Sequence, residues 1–250
     1  MLTHKTLVDE FSALGLEPGD TLLVHSAYKS FGGVEGGPQT VIDALLDVLG
    51  DNGTLIMPTF NFDFCHGEPW DVRTTPSHMG IITNMVRERP DALRVFHPIY
   101  SFAVLGKNAA YLTKDRYKSS FEEISLFGKL RKLDGKIMII GLSYTNSMTF
   151  FHHVEEMEGV DYRYMKEFTG LVTDENGNTY QDTFTMLVRD LDMGVETEVD
   201  PMGKLMEEAG IVTIRKIGES TVKLMRADEV YKFTAREMKR DPKLLYETNK

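Results

Sequence analysis

The chain has 250 residues, 42% hydrophobic and 26% charged, with a formal net charge of −10; it is long enough to bury a substantial core, and the sign of its charge argues against generic nucleic-acid binding. Its single cysteine, Cys65, excludes an internal disulfide and fits a reducing, cytoplasmic setting. No apolar run reaches the length of a membrane span, and the first residues read as a surface helix rather than a signal peptide.

Leu7, Phe11 and Leu14 recur at helical spacing and predict a helix over His4–Leu14, closed by Gly15. The turn Pro18-Gly19-Asp20 leads into a predicted strand over 21–24. The segment from His25 to Phe31 and a loop with glycine at 32, 33, 36 and 37 then precede a helix over Pro38–Leu49, with Val41, Leu45 and Val48 facing inward. Glycines before a helix N-terminus let backbone N–H groups approach an anion. Neither the Gly-Lys-Ser/Thr of a P-loop nor the dinucleotide fingerprint is present, so the loop reads equally as a flexible turn.

Residues 54–57 form the second predicted strand. Residues 58–70 are irregular and carry Phe60, Phe62, Phe64 and Trp70 beside Asp63, Cys65 and His66, a mixture that suits either a pocket wall or a core edge. Cys65 itself has nothing beside it in sequence that would activate a thiol. Helices are expected over 79–89, 108–112 and 126–133, a strand over 101–105, and another over Lys136–Ile140. That last strand empties into a polar turn from Gly141, where Thr145, Asn146 and Ser147 can cap a helix running to Glu156. In open α/β sheets ligands bind beyond the carboxyl ends of the strands, which makes this turn the expected place for chemistry.

On that helix His152 and Glu155 are three residues apart and share a face, as do His153 and Glu156. A carboxylate that holds one imidazole nitrogen as N–H leaves the other to accept a proton near neutral pH. Adjacent histidines cannot share one face, so one of the pair is expected to be structural. The bland alternative is an exposed polar helix surface. A second sharp one is a metal-dependent hydrolase using His25, His97, His152 and Glu155, although the order is not His-Glu-x-x-His; His25 and His97 are expected to be hydrogen-bonded structural residues.

Beyond the helix, predicted strands over 168–173 and 179–184 flank Asp174-Glu175-Asn176-Gly177-Asn178, a hairpin signal. A helix over 201–210, a second hairpin over 211–217 and 221–225, and a closing helix over 228–239 headed by Asp228 complete the chain. The expected fold is one α/β domain over 1–250: a layered mixed β-sheet flanked by helices, with a smaller antiparallel, hairpin-rich portion over about 161–226.

Several segments, in order, carry a resemblance. They are Gly19-Asp20 through His25-Ser26, Val34-Glu35-Gly36-Gly37, Gly53 through Pro58-Thr59, Thr75-Pro76-Ser77-His78-Met79-Gly80, His97-Pro98 with Ser101, and Leu133-Asp134-Gly135-Lys136-Ile137 with Gly141. This series resembles the antibiotic N-acetyltransferase family, best known for aminoglycoside 3-N-acetyltransferases, whose Thr-x-x-His-x-x-Glu segment matches Thr149, His152 and Glu155. The resemblance implies an acetyl-coenzyme A-dependent N-acetyltransferase acting on an amine of an aminoglycoside or other amino sugar, with His152 as general base, Glu155 orienting it, and no metal. It implies cofactor contacts at Ser26, Lys29, Gly33, Val34, Gly36, Gly37, Met79 and Ser101, and acceptor contacts at Glu123 and Thr149. The implied partner is a small cationic amino sugar, not nucleic acid or membrane, and a homodimer is left open. The chain departs from the family at Phe121-Glu122-Glu123-Ile124-Ser125-Leu126, where Phe/Tyr-Gly-x-Gly-Ser-Pro is common, and at Tyr144-Thr145, where a His-Asp-like pair is frequent. Both departures lie where an acceptor would bind, so the transferase class is better supported than the aminoglycoside. A sugar- or coenzyme-A-binding module without turnover is the non-catalytic alternative, against which the retained His152 and Glu155 stand.

Overall fold

The computed structural model describes residues 1–248. The chain runs α1 (His4–Leu14), β1 (Thr21–Ser26), α2 (Pro38–Leu49), β2 (Thr54–Pro58), β3 (Trp70–Asp71), α3 (Ile81–Arg87), β4 (Leu93–Arg94), β5 (Phe102–Gly106), α4 (Ala109–Thr113), α5 (Leu126–Lys132), β6 (Lys136–Ile140), α6 (Phe150–Glu158), β7 (Arg163–Thr173), β8 (Thr179–Arg189), β9 (Val195–Thr197), α7 (Asp200–Glu208), β10 (Thr213–Ile217), β11 (Ser220–Arg226), α8 (Ala227–Arg240) and β12 (Tyr246–Thr248). The main sheet has the order β10-β11-β6-β1-β2-β5-β4, with β6, β1 and β2 parallel at its centre and antiparallel strands at both flanks.

Side chains alternate across a strand, and the central strands are apolar on both sides, so helices must cover both faces of the sheet. Leu22, Val24, Leu55, Met57, Met138 and Ile140 pack with Leu7 and Phe11 of α1 and Val41 and Leu45 of α2. Leu23, Ile56, Ile137 and Ile139 pack on the opposite side with Leu130 of α5, Phe150 and Val154 of α6, and Val230 of α8. The layered mixed sheet expected from the sequence is therefore present. Among the described residues, no helix is long and apolar enough to cross a membrane.

The stretch over 161–226 holds two antiparallel hairpins, which the strand order assigns to different sheets. β7 and β8 stand apart from the main sheet, with β3 alongside β7, and β9 pairs with β12 in a further two-stranded sheet. The second hairpin extends the main sheet instead, because β11 pairs antiparallel with β6 from Val222↔Ile140 to Arg226↔Lys136. Its composition permits this: Val222 and Leu224 face one core and Met225 the other, as an inner strand requires. The first hairpin is longer than its sequence suggests, pairing from Arg163↔Arg189 to Thr173↔Thr179. Asp228 does not cap α8; it lies in the first turn and pairs with Lys232 at 2.6 Å. Likewise Thr145, Asn146 and Ser147 do not cap α6, whose N-cap position is Thr149. Ser147 Oγ donates to the Ser143 carbonyl at 2.6 Å and so braces the turn before the helix.

Candidate active site

β1 and β6 are parallel and end together, with Ser26 in register with Ile140. Beyond that edge β6 bends at Gly141, where φ is +66° and an added Cβ would lie 2.0 Å from Ser30 Oγ. Only glycine permits this approach. The turn is then clamped by α7. The Tyr144 N–H donates to Asp200 Oδ1 and its hydroxyl to Glu207 Oε1, both at 2.8 Å, and a Cβ on Gly203 would meet the Tyr144 ring at 2.0 Å. The next residues enter α6 with its orientation set.

His152 projects from α6 with Nδ1 2.6 Å from Glu155 Oε2 and its side chain 17% exposed. Glu155 has no exposed surface; it accepts a hydrogen bond from the Tyr162 hydroxyl at 2.9 Å and lies 2.8 Å from Arg163 Nε. Burial alone would push the Glu155 carboxyl up, but His152, Arg163 and Tyr162 together hold it below the ordinary carboxylate range. Burial and the Arg163 charge push His152 below its ordinary value, against the upward pull of Glu155. The result is a neutral imidazole whose Nδ1–H is fixed on a carboxylate, leaving Nε2 as a proton acceptor.

His152 borders a cavity of about 600 Å³. One wall is the irregular stretch after β2, contributing Phe62, Cys65 and His66; the other is the β7–β8 hairpin, contributing Arg163, Lys166, Phe168, Met186 and Arg189. The aromatic-rich stretch thus serves both purposes foreseen for it, since Phe60, Phe64 and Trp70 are core residues. Burial pushes the Cys65 thiol up to about 11, so it is a neutral wall group and not a nucleophile.

The neighbouring histidine is structural. His153 is fully buried, donates from Nδ1 to the Phe121 carbonyl at 2.5 Å and has Arg131 Nη1 3.3 Å from Nε2; burial lowers it to about 4. His97 is also spoken for: Nδ1 accepts from the N–H groups of Ile99 and Tyr100, and Nε2 donates to the Lys118 carbonyl at 3.1 Å. His25 is buried on β1 with Nε2 unpartnered, and burial lowers it to about 4. The four residues of the hydrolase reading do not converge. Among the described residues, no group of three or more His, Cys, Asp or Glu is arranged to hold a metal ion.

The remaining expected site residues divide. Ser26 ends β1 in register with Ile140, Lys29 follows it, and Gly36 and Gly37 lead into α2; none of the four lines the cavity, and Met79 is half-buried ahead of α3. Gly33 and Val34 are engaged within the protein. Leu2 N–H donates to the Gly33 carbonyl and the Leu2 carbonyl accepts from Glu35, while the Val34 side chain sits in the core. Ser101 is a correction: it has no exposed surface, donates to the Val95 carbonyl at 2.7 Å and accepts from Arg94, so it lines no channel. Glu123 is a second correction, because it pairs with Lys132 at 2.9 Å on the His153 side of α6 and is not in the cavity. Thr149 stands one helical turn before His152, half-buried and outside the lining. Tyr162, Arg163 and Lys166 were not foreseen; the one available signal, charged residues soon after Glu155, does not say that the chain folds back onto it.

A family model described as aminoglycoside 3-N-acetyltransferase matches residues 23–239. The chain is 32% identical over 176 residues to an SPbeta prophage-derived aminoglycoside N(3')-acetyltransferase-like protein of Bacillus subtilis, a match covering 61% of this chain and 64% of that protein. It is 31% identical over 177 residues to aminoglycoside N(3)-acetyltransferase VII of Streptomyces paromomycinus, covering 62% and 61%. The match therefore spans about three fifths of the length of these curated relatives. The crystal structure of aminoglycoside acetyltransferase AAC(3)-Xa superposes with a TM-score of 0.86 at 27% identity, over 96% of this chain and 93% of that one.

Proposed function

Since this chain belongs to the antibiotic N-acetyltransferase (aminoglycoside 3-N-acetyltransferase) family, we propose that it transfers an acetyl group from acetyl-coenzyme A to the amine of an aminoglycoside or other amino sugar, with His152 as general base and Glu155 as the residue that orients it. The observation that carries this reading is the 2.6 Å contact between His152 Nδ1 and a fully buried Glu155, at the mouth of a cavity beyond the ends of parallel strands.

Acetyl-coenzyme A, when bound, supplies an activated carbonyl and a thiol leaving group. The protein's residues supply proton management and position. An ammonium has no lone pair, so the acceptor amine must be neutral when it attacks; His152 Nε2 takes the proton that the nitrogen sheds as the amide bond forms. Glu155 keeps the proton on Nδ1 and steadies the imidazolium that forms, while Arg163 and Tyr162 keep the carboxylate ionised and in place. The segment leaving β1 suits an anionic cofactor. Lys29 is exposed and makes no ion pair among the described residues, and Gly36 and Gly37, with φ of +77° and +75°, lead directly into the N-terminus of α2. Ser26, Lys29, Gly36 and Gly37 would hold it there.

Replacing His152 with Ala is expected to lower the rate of coenzyme A release with an amino-sugar acceptor by roughly 10²-fold or more, the protein staying folded because Arg163 and Tyr162 still partner Glu155. Full activity in that variant would overturn the assignment. Absence of coenzyme A release from the parent protein with every acceptor would instead favour the binding module.

A further inference from the structure

The cavity beside His152 carries the wrong charge for a polycation. Its wall contains the side chains of Arg163, Lys166 and Arg189 and no aspartate or glutamate. Two of these cations are matched by carboxylates outside the lining: Arg163 by Glu155 at 2.8 Å, and Arg189 by Glu196. Lys166 is not matched. It makes no ion pair among the described residues, it is exposed on β7, and its ammonium lies 5.3 Å from the centre of the Phe168 ring, another wall group. The carboxylate beside His152, Glu155, has no exposed surface and is committed to His152, Tyr162 and Arg163.

A molecule with several ammonium groups would find no uncommitted carboxylate in this wall and one uncompensated like charge. An anionic group would find the reverse, because oppositely charged surfaces attract and like charges in a partly desolvated cleft are penalised. The apolar lining of Phe62, Tyr100 and Phe168 suits the ring body of a sugar. Resting on the acetyl transfer proposed above, we infer that the acceptor is an amino sugar that also bears a phosphate or carboxylate, received by Lys166, and is not a polycationic aminoglycoside.

The test compares four acceptors with the full chain: glucosamine, glucosamine 6-phosphate, muramic acid as the carboxylated arm, and gentamicin. Each is measured by calorimetric binding and by coenzyme A release from acetyl-coenzyme A. At least one anionic amino sugar is expected to bind about tenfold or more tightly than glucosamine, with gentamicin weakest. Lys166→Glu should abolish that advantage and Lys166→Arg should keep it. A parent protein that prefers gentamicin, or that binds none of the four, overturns the inference. So does an advantage unchanged in Lys166→Glu, or an effect of that substitution confined to the KM for acetyl-coenzyme A, which would assign the lysine to the donor. Charge-selective binding without coenzyme A release from any acceptor would sink the transfer reading and leave the charge assignment standing; release with gentamicin preferred would do the opposite.

Discussion

Glu155 is a carboxylate with no contact with water, held ionised by an imidazole, a guanidinium and a phenol. Removing its charge leaves Arg163, itself only 7% exposed, as a buried cation with no carboxylate partner, its remaining hydrogen bond going to Thr197 Oγ1 at 2.8 Å. Glu155→Gln is therefore expected to cost about 3–5 kcal/mol in denaturant unfolding. The same substitution removes the upward pull on His152, which already lies below its ordinary value, so the acid limb of the kcat/KM profile should move to still lower pH. A limb that stayed in place would mean that Glu155 does not act through the imidazole. At this scale the sequence discloses half of the site. The three-residue spacing identifies two His/Glu pairs but does not choose between them. The choice comes from partners remote in sequence: Phe121 and Arg131 take up His153, and Glu156 turns to Ser119 Oγ at 2.5 Å. Tyr162 and Arg163 reach Glu155 because the chain reverses at Gly159, with φ of +66°, and no local pattern reports where it goes next.

The strand, turn and helix that carry His152 depend on backbone proximity more than on side-chain contacts. An alanine at Gly141 would have to displace Ser30 and would hold a left-handed backbone with a Cβ, costing about 1–3 kcal/mol for overpacking and a further ~1–2 kcal/mol for the conformation. Gly141→Ala is expected to lower the melting temperature by several degrees and to lower coenzyme A release. Gly19→Ala, at φ +90° with nothing within 4 Å, is expected to lose only the conformational part and to keep its activity. Equal losses in both would show that the close approach to Ser30 is unimportant. β6 is readable from sequence because a run of apolar residues between two glycines has few other uses. The β7–β8 turn is readable from Asp174, whose Oδ1 accepts from the N–H groups of both Asn176 and Asn178. The far half of that hairpin is not. Tyr164, Met165, Lys166 and Glu167 are exposed in succession, because this part of β7 lies beside the cavity and not against the core, and the apolar alternation that announces a strand is missing.

Across the molecule, three buried histidines link stability to pH. Burial lowers His25 and His153 to about 4 and His97 to about 3, so each binds a proton in the unfolded chain before it does in the folded one. Their contribution is complete above pH ~6.5 and is lost as pH falls from there towards about 4 for His25 and His153 and about 3 for His97. Glu156 opposes them: burial raises it to about 7, so its contribution is present at acid pH and lost as pH rises towards neutrality. Unfolding near pH 5 should therefore take up about two protons net and cost about 3 kcal/mol less than at pH 7. Urea titrations at the two pH values measure this, and greater stability at pH 5 would contradict it. The alternation of strands and helices made the parallel centre of the sheet legible in the sequence, whereas the place of β10 and β11 was hidden, since a hairpin signal does not say which strand its outer edge will join. That placement bears on synthesis. β6 leaves the ribosome some eighty residues before β11 arrives to cover its open side, an interval of roughly 4–16 s at ordinary elongation rates. Throughout it the nascent chain presents an apolar strand with unpaired backbone groups, the template on which strangers add. Messages cut short or stalled in this window would yield aggregating polypeptide, so output of working protein should respond to chaperone supply more steeply than the finished molecule's stability suggests.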